Sequence, residues 1–335
     1  MTALAVFLVA ALSTLIATPL VIGLAMRLGA VDLPNRDRHM HGRATARLGG
    51  IALAIGFCAA LAASFILPQQ RNDERETVRL TGLLLGLLIV LVAGIIDDLR
   101  ELPAWPQLAA QFLAAAIVVA FNVRIDELPT PFGAATLSDW FAVLFTLFWL
   151  IGMMNTVNFL DGLDGLATGV VGIACLILFI HTSRLGQDSI ALLPLALFGA
   201  LAGFLPFNFS PARIFLGSSG ALFIGLALGT LSIIGGAKVA SALLVLGIPI
   251  LDTAWQIVRR IRDGHAPYHA DRGHLHFRLV DRGWPPRQVV LMLYGLSTVF
   301  GVMALGLPSG MPKAFALGGM TLVMLAMMLR IARKV

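Results

Sequence analysis

Apolar runs long enough to cross a bilayer, about 20 residues each, recur along nearly the whole chain. Eleven can be read, over roughly 2–26, 48–67, 80–96, 107–123, 139–155, 163–181, 190–206, 214–234, 239–258, 289–307 and 314–332. They are continuously apolar rather than alternating, which argues for helices and against the strands of a membrane barrel. With 58% of the 335 residues hydrophobic and 13% charged, no room is left for a separate soluble domain. The expectation is one all-α, polytopic membrane domain over residues 1–335 with about eleven transmembrane helices. No basic segment precedes the first run, so it reads as a retained helix rather than a cleaved signal. Cys58 and Cys175 fall inside apolar runs, in no metal or redox spacing, and read as buried small hydrophobes.

Counting charges sets the orientation. If the amino terminus is outside, 17 of the 24 Lys and Arg lie on the inner side; the other seven are Arg71, Arg75, Arg79, Arg124, Arg184, Lys238 and Lys313. The positive-inside rule therefore places the amino terminus outside and the carboxyl terminus in the cytoplasm. The net charge of +6 belongs mostly to that inner face, where it suits anionic lipid headgroups and anionic substrates. Nucleic acid is not the partner expected, because the basic residues sit on separate membrane-proximal loops. The outward loops (69–77, 126–139, 235–236 and 308–312) read as solvated turns and connectors. The inward loops (32–50, 97–107, 155–164, 206–219 and 259–287) hold every unusual polar cluster. Such one-sidedness favours an enzyme open to one compartment over a transporter, which would more often show mid-membrane polar groups and an internal repeat.

Acids are the most informative of those clusters. Asp97 and Asp98 close the third run, after Leu-Val-Ala-Gly-Ile-Ile. An Asp costs roughly 2.5–3.5 kcal/mol at the centre of a membrane helix, and two carboxylates about 4 Å apart repel by about 4 kcal/mol at an effective dielectric of about 20. As a solvated helix end the pair would oppose the macrodipole. A divalent cation handling phosphates offsets both terms, with one acid helping to hold Mg²⁺ and the other acting as base. Asn155, Asn158, Asp161 and Asp164 recur every three residues and form a polar stripe if helical. Their oxygens are hard ligands suited to Mg²⁺ and to sugar hydroxyls.

Between Arg259 and Arg287 lies Pro-Tyr-His-Ala-Asp-Arg-Gly-His-Leu-His-Phe-Arg, 267–278. It reads either as a lipid-facing positive patch or as a binder of pyrophosphate or sugar, with Arg272 and Arg278 offering forked donors. A zinc site is the weaker reading, since His274 and His276 are two apart with no thiol cluster. The first inward loop, from Asp32 to Arg47 and Gly50, is a second donor-rich segment that suits a lipid phosphate or serves only as a positive-inside loop.

In this order and on this side, the clusters resemble the polyprenyl-phosphate N-acetylhexosamine-1-phosphate transferases, which include the WecA/TagO enzymes and the muramoyl-pentapeptide transferase MraY. The resemblance covers essentially the whole chain. It is strongest over 155–167, then at Asp97-Asp98 with Gln111, over 213–220 and over 271–279. The separated His274-Leu-His276 is closer to the WecA/TagO branch than to MraY. Departures are also present: Ser218 stands where the family carries a metal-binding Asp, Gln107 where it carries Lys, and Phe277 where a further His often follows. Ala44 and Ala46 stand where prolines are usual, in a loop with one extra residue.

The resemblance implies transfer of a sugar-1-phosphate, N-acetylglucosamine-1-phosphate being the leading choice, from a UDP-N-acetylhexosamine to undecaprenyl or another polyprenyl phosphate, with release of UMP. It implies an eleven-helix fold, a bacterial plasma membrane and dependence on Mg²⁺, with Mn²⁺ as the substitute. Carried onto this sequence, Asp98, Asn158 and the Ser218 position would hold the metal, and Asp97 or Asp98 would position the nucleophile. Asp161 and Asp164 would orient uridine or sugar. Asn155, Arg47, Arg272, His274, His276 and Arg278 would bind substrate. Because of Ser218, a non-catalytic relative that binds nucleotide-sugar or lipid phosphate is the alternative. A homodimer is left open.

Overall fold

A computed structural model describes residues 1–32, 44–130, 133–234, 239–264, 273–308 and 311–332. The chain folds almost entirely into helices: α1 (Thr2–Leu28), α2 (Gly49–Ile66), α3 (Glu76–Arg100), α4 (Ala104–Ala120), α5 (Asp139–Leu160), α6 (Leu166–Arg184), α7 (Asp188–Asn208) and α8 (Gly217–Leu231). These are followed by α9 (Val239–Val245), α10 (Gly247–Arg262), α11 (Leu275–Asp281), α12 (Pro286–Gly306) and α13 (Met311–Ala332). Among the described residues seven helices (α1, α2, α3, α5, α6, α7 and α12) are long and apolar enough to cross a membrane. An eighth span results if α9 and α10, bent by 78° at Leu246, count as one. The break has two local causes. Pro249 in the first turn of α10 cannot donate a backbone hydrogen bond, and Gly247 leaves room for Met320 of α13, which a Cβ would meet at 1.9 Å. This is an all-α, multi-pass membrane protein. The helices α4 and α8 are apolar but shorter than the other spans.

Among the described residues, strands are confined to two small antiparallel pairs: β1 (Val31–Asp32) with β2 (Thr45–Ala46), and β3 (Glu127–Thr130) with β4 (Gly133–Thr136). The second pair lies within the connector read over 126–139, where the backbone groups of Glu127–Thr130 and Gly133–Thr136 are satisfied by pairing with each other.

The sequestered helix is α8. Ser219 through Leu231 are buried on every side, as expected of a helix that is apolar all round. It packs against α2, α3 and α5, and small residues permit the approach: a Cβ at Gly50 or at Gly94 would lie 2.4 Å from the Ser219 backbone. By contrast α1, α3, α5 and α12 each keep large apolar side chains exposed on one face, such as Leu4, Leu20, Leu88, Phe148 and Val302. Those faces suit lipid. Cys175 is buried, but Cys58 is exposed on α2. Its apolar surroundings predict burial, yet an apolar helix in a membrane can turn a small apolar side chain outward toward lipid at little cost.

Polar contacts sort the helix ends into two groups. At one end, Arg71 pairs with the buried Glu76, which also accepts from the Ser189 hydroxyl at 2.9 Å. Arg71 reaches back to the Ser64 carbonyl at 2.8 Å. This tie joins α2, α3 and α7. Lys313 and His181 meet at Ser241 in a second such tie, between α13, α6 and α9. The acids and histidines of interest gather at the other end. Replacing Glu76 by Ala leaves a partly buried guanidinium without its carboxylate and is expected to cost about 3 kcal/mol. Thermal unfolding in detergent measures this, and an unchanged midpoint would show the tie to be dispensable.

Candidate active site

The site begins at the amino terminus of α8. Gly217 adopts φ +69, and a Cβ there would sit 2.6 Å from the Asp98 carboxylate. The turn thereby presents its first amides to that acid. Asp98 Oδ1 accepts the Ser218 N–H at 2.8 Å, while Oδ2 accepts the Ser219 N–H at 3.1 Å and the Ser219 hydroxyl at 2.7 Å. A carboxylate that opposes the dipole of its own helix, α3, is stabilised by the positive end of another. Asp97, equally buried, accepts the Leu102 N–H at 2.7 Å and the Ser218 hydroxyl.

Asp161 and Asp164 come from the turn between α5 and α6. The three-residue spacing is only half helical here: Asn155 and Asn158 lie on α5, which ends at Leu160, and both acids follow it. Gly165, left-handed at φ +78, starts α6. Asp164 accepts the Ala212 N–H at 3.0 Å and Asp161 accepts the Gly217 N–H. Asp161 is half-buried by surface but enclosed by protein and by like charge. Burial first, then the charges of Asp98 and Asp164, push its carboxyl up to about 7, against Arg47 and the Gly217 amide. Asp98 and Asp161 therefore share one site. Asn155 donates to the Gln111 side-chain oxygen at 2.6 Å, which orients its amide from α4. Asn158 lies one turn before Asp161 and is half-buried.

Arg47 enters from the segment joining β2 to α2. That segment is pinned by Arg47 N–H to Ala30 O at 3.0 Å and by Phe215 N–H to Ala46 O at 2.7 Å. Its guanidinium faces Glu101 at 3.8 Å and exerts its charge on both Asp98 and Asp161.

Histidines close the remaining side. His276 sits on the acid turn: a Cβ at Gly162 would lie 2.3 Å from its Nε2 and 2.7 Å from Phe277. His274 stacks on Phe159 (5.5 Å between centroids) and on His276 (5.7 Å), and its Nδ1 meets Asp252 at 2.8 Å. Arg278 is half-buried on α11. Arg272 lies outside the described residues, so its expected role stays an expectation. Asp252, Gln256 and Ser219 were absent from the sequence reading. Asp252 did carry a signal, being an acid inside an apolar run.

The profile described as Glycosyl transferase family 4 matches residues 80–236, which carry both acid clusters and Ser218. A Bacillus subtilis protein named "Probable undecaprenyl-phosphate N-acetylglucosaminyl 1-phosphate transferase" is 34% identical over 310 residues, covering 90% of this chain and 84% of the relative. The chain belongs to the polyprenyl-phosphate N-acetylhexosamine-1-phosphate transferase family. Two further members of this family bracket it. The decaprenyl-phosphate N-acetylglucosaminephosphotransferase of Mycolicibacterium smegmatis is 34% identical over 330 residues (90% of this chain, 80% of the relative). The phospho-N-acetylmuramoyl-pentapeptide-transferase of Desulforudis audaxviator is 30% identical over 329 residues (89% and 95%).

Among the described residues no group of three or more His, Cys, Asp or Glu is placed to hold a metal ion. The Ser218 hydroxyl, expected near a metal, instead bonds Asp97. What remains are the hard oxygens of Asp98, Asp161 and Asn158, with mutually repelling carboxylates and Arg47 set against them. That donor set suits Mg²⁺, which keeps several waters of its own and needs few protein ligands.

Proposed function

We propose that this protein transfers N-acetylglucosamine-1-phosphate from UDP-N-acetylglucosamine to a polyprenyl phosphate such as undecaprenyl phosphate, releasing UMP. The observation that carries this reading is the convergence of Asp98, Asp161 and Arg47 on the amino terminus of α8, from three separate stretches of chain. The names of the relatives support the polyprenyl-phosphate acceptor and the N-acetylglucosamine-phosphate group transferred. The reading places the protein at the first membrane step of a cell-surface glycopolymer. The fold is read as eleven passes, with α4, α8, α13 and the bent α9–α10 pair added to the seven long spans. The charge distribution supports an amino terminus outside and a site facing the cytoplasm, and the family resemblance supports a bacterial plasma membrane.

In the reaction, an oxygen of the lipid phosphate attacks the β-phosphorus of the donor. A new P–O bond forms as the bond from that phosphorus to the bridging oxygen breaks, and UMP departs with the bridging oxygen and its electron pair. Phosphate monoesters lose their second proton near pH 6, by about the value for phosphorylated side chains, so the attacking group needs little help from a base. Held by Asp98, Asp161 and Asn158, Mg²⁺ would supply charge neutralisation for the diphosphate. The protein contributes placement: Asp97 and Asp98 fix the acceptor end of the site, and Arg47, His274, His276 and Arg278 hold phosphate or sugar oxygens. Asp161, Asp164 and Asn155 orient uridine or sugar.

Detergent-solubilised protein given Mg²⁺, undecaprenyl phosphate and UDP-N-acetylglucosamine is expected to release UMP. Parallel runs with UDP-N-acetylgalactosamine and UDP-N-acetylmuramoyl-pentapeptide identify the preferred donor. Failure to release UMP from any of them would exclude the reading, and lipid flux in liposomes without UMP would indicate a transporter or scramblase. One observation favours a non-catalytic binder: Ser218 gives the site a hydroxyl, bound to Asp97, in place of a carboxylate. Nucleotide binding without UMP, cured by Ser218→Asp, is the signature of that second reading.

A further inference from the structure

Asp252 is an acid on the buried face of the amphipathic helix α10, which also carries Thr253, Gln256 and Arg260. It lies on α10, beyond the 78° bend that tilts this helix away from α9. Its two oxygens do different work. Oδ1 accepts the Leu275 N–H at 3.1 Å and so fixes the start of α11, whereas Oδ2 meets His274 Nδ1 at 2.8 Å. Both residues are more than nine-tenths buried. The imidazole has little freedom to turn, since it stacks on Phe159 and on His276. Beside Asp252 lies a cavity of about 20 Å³, lined in part by Leu160, His276 and Ser297, enough for about one water.

An acid bonded to one imidazole nitrogen sets both the tautomer and the direction of the other nitrogen. With its proton held at Nδ1 by Asp252, His274 keeps Nε2 for a ligand. When Nε2 also carries a proton it donates to a bound anion, and Asp252 carries the balancing charge. From this geometry we infer that Asp252 is a positioning residue, which holds His274 in place and balances the charge of the imidazolium that binds the diphosphate of a nucleotide. The inference rests on the reaction proposed above only for the identity of that nucleotide. Capping α11 is the competing role, and the two roles use different oxygens.

Asp252→Asn separates them. Its carbonyl oxygen still accepts the Leu275 N–H, but its neutral amide turns a donor toward Nδ1 and no longer balances an imidazolium. UDP binding to the solubilised full-length protein, measured by calorimetry, is expected to weaken about tenfold, the lower end for loss of such an orienting partner. The unfolding midpoint should stay unchanged. In turnover, KM for UDP-N-acetylglucosamine should rise by a similar factor while KM for the lipid phosphate holds. A second arm repeats Asp252→Asn in a His274→Ala background, where it should have no further effect on UDP affinity. An unaltered UDP affinity in Asp252→Asn, the same loss in the His274→Ala background, or no UDP binding by the unsubstituted protein overturns the inference. UDP binding without UMP release overturns the proposed reaction instead, and the affinity ratios still decide the role of Asp252.

Discussion

Substituting Asp161 by Asn is expected to lower UMP release roughly 10³-fold, the upper end for removing one preorganised electrostatic group. The unfolding midpoint should barely move. Asp161 is the acid on which burial and the charges of Asp98 and Asp164 converge. Its one backbone donor, Gly217 N–H, can be kept by an Asn carbonyl oxygen. Only the charge is then lost. Asp98→Asn should reduce turnover at least as far, about 4 kcal/mol in barrier at 1.36 kcal/mol per tenfold, but with a lower midpoint. Asp98 accepts three hydrogen bonds from Ser218 and Ser219, spread over both oxygens, and an amide cannot accept at its nitrogen. Comparing the two variants separates chemistry from support of α8. Turnover near the unsubstituted rate in Asp161→Asn would remove this acid from the site.

The second large effect concerns packing. Gly94→Ala places a methyl group 2.4 Å from the Ser219 Cα, and Gly50→Ala places one 2.4 Å from the Ser219 carbonyl carbon. Both obstacles are backbone, which cannot rotate aside. Overpacking of this kind costs about 1–3 kcal/mol. Here it has a functional consequence as well, because a displaced α8 withdraws the Ser218 and Ser219 amides from Asp98. Each variant should therefore lose stability and UMP release together. Gly152→Ala on α5 is the matched control, since a Cβ there meets nothing within 4 Å. Equal unfolding midpoints for Gly94→Ala and Gly152→Ala would refute the clamp around α8.

Much of the site was legible because its parts are chemically out of place. Carboxylates closing apolar runs, as at Asp97-Asp98 and at Asp161 and Asp164, are conspicuous in a chain with so few charges. Asp252 was equally out of place but isolated, and an acid without a neighbour in sequence gives no hint of its partner. His274 supplies that partner from 22 positions away. Ser218 was read as a thinned metal ligand, and its bond to Asp97 could not be read from spacing. A hydroxyl in the first turn of a helix can face many ways, and neighbours from other segments choose among them.

The sequence by itself determined that this chain is helical, membrane-embedded and acidic at chosen helix ends, since run length and composition are properties of contiguous residues. Tertiary structure decided which acid meets which donor. Asp98 and Ser218 stand 120 positions apart, and they meet because Gly50 and Gly94 let α2 and α3 press against the first turn of α8. Close approach of backbones is a matter of where side chains are missing. No periodicity along the chain announces which glycines face one another.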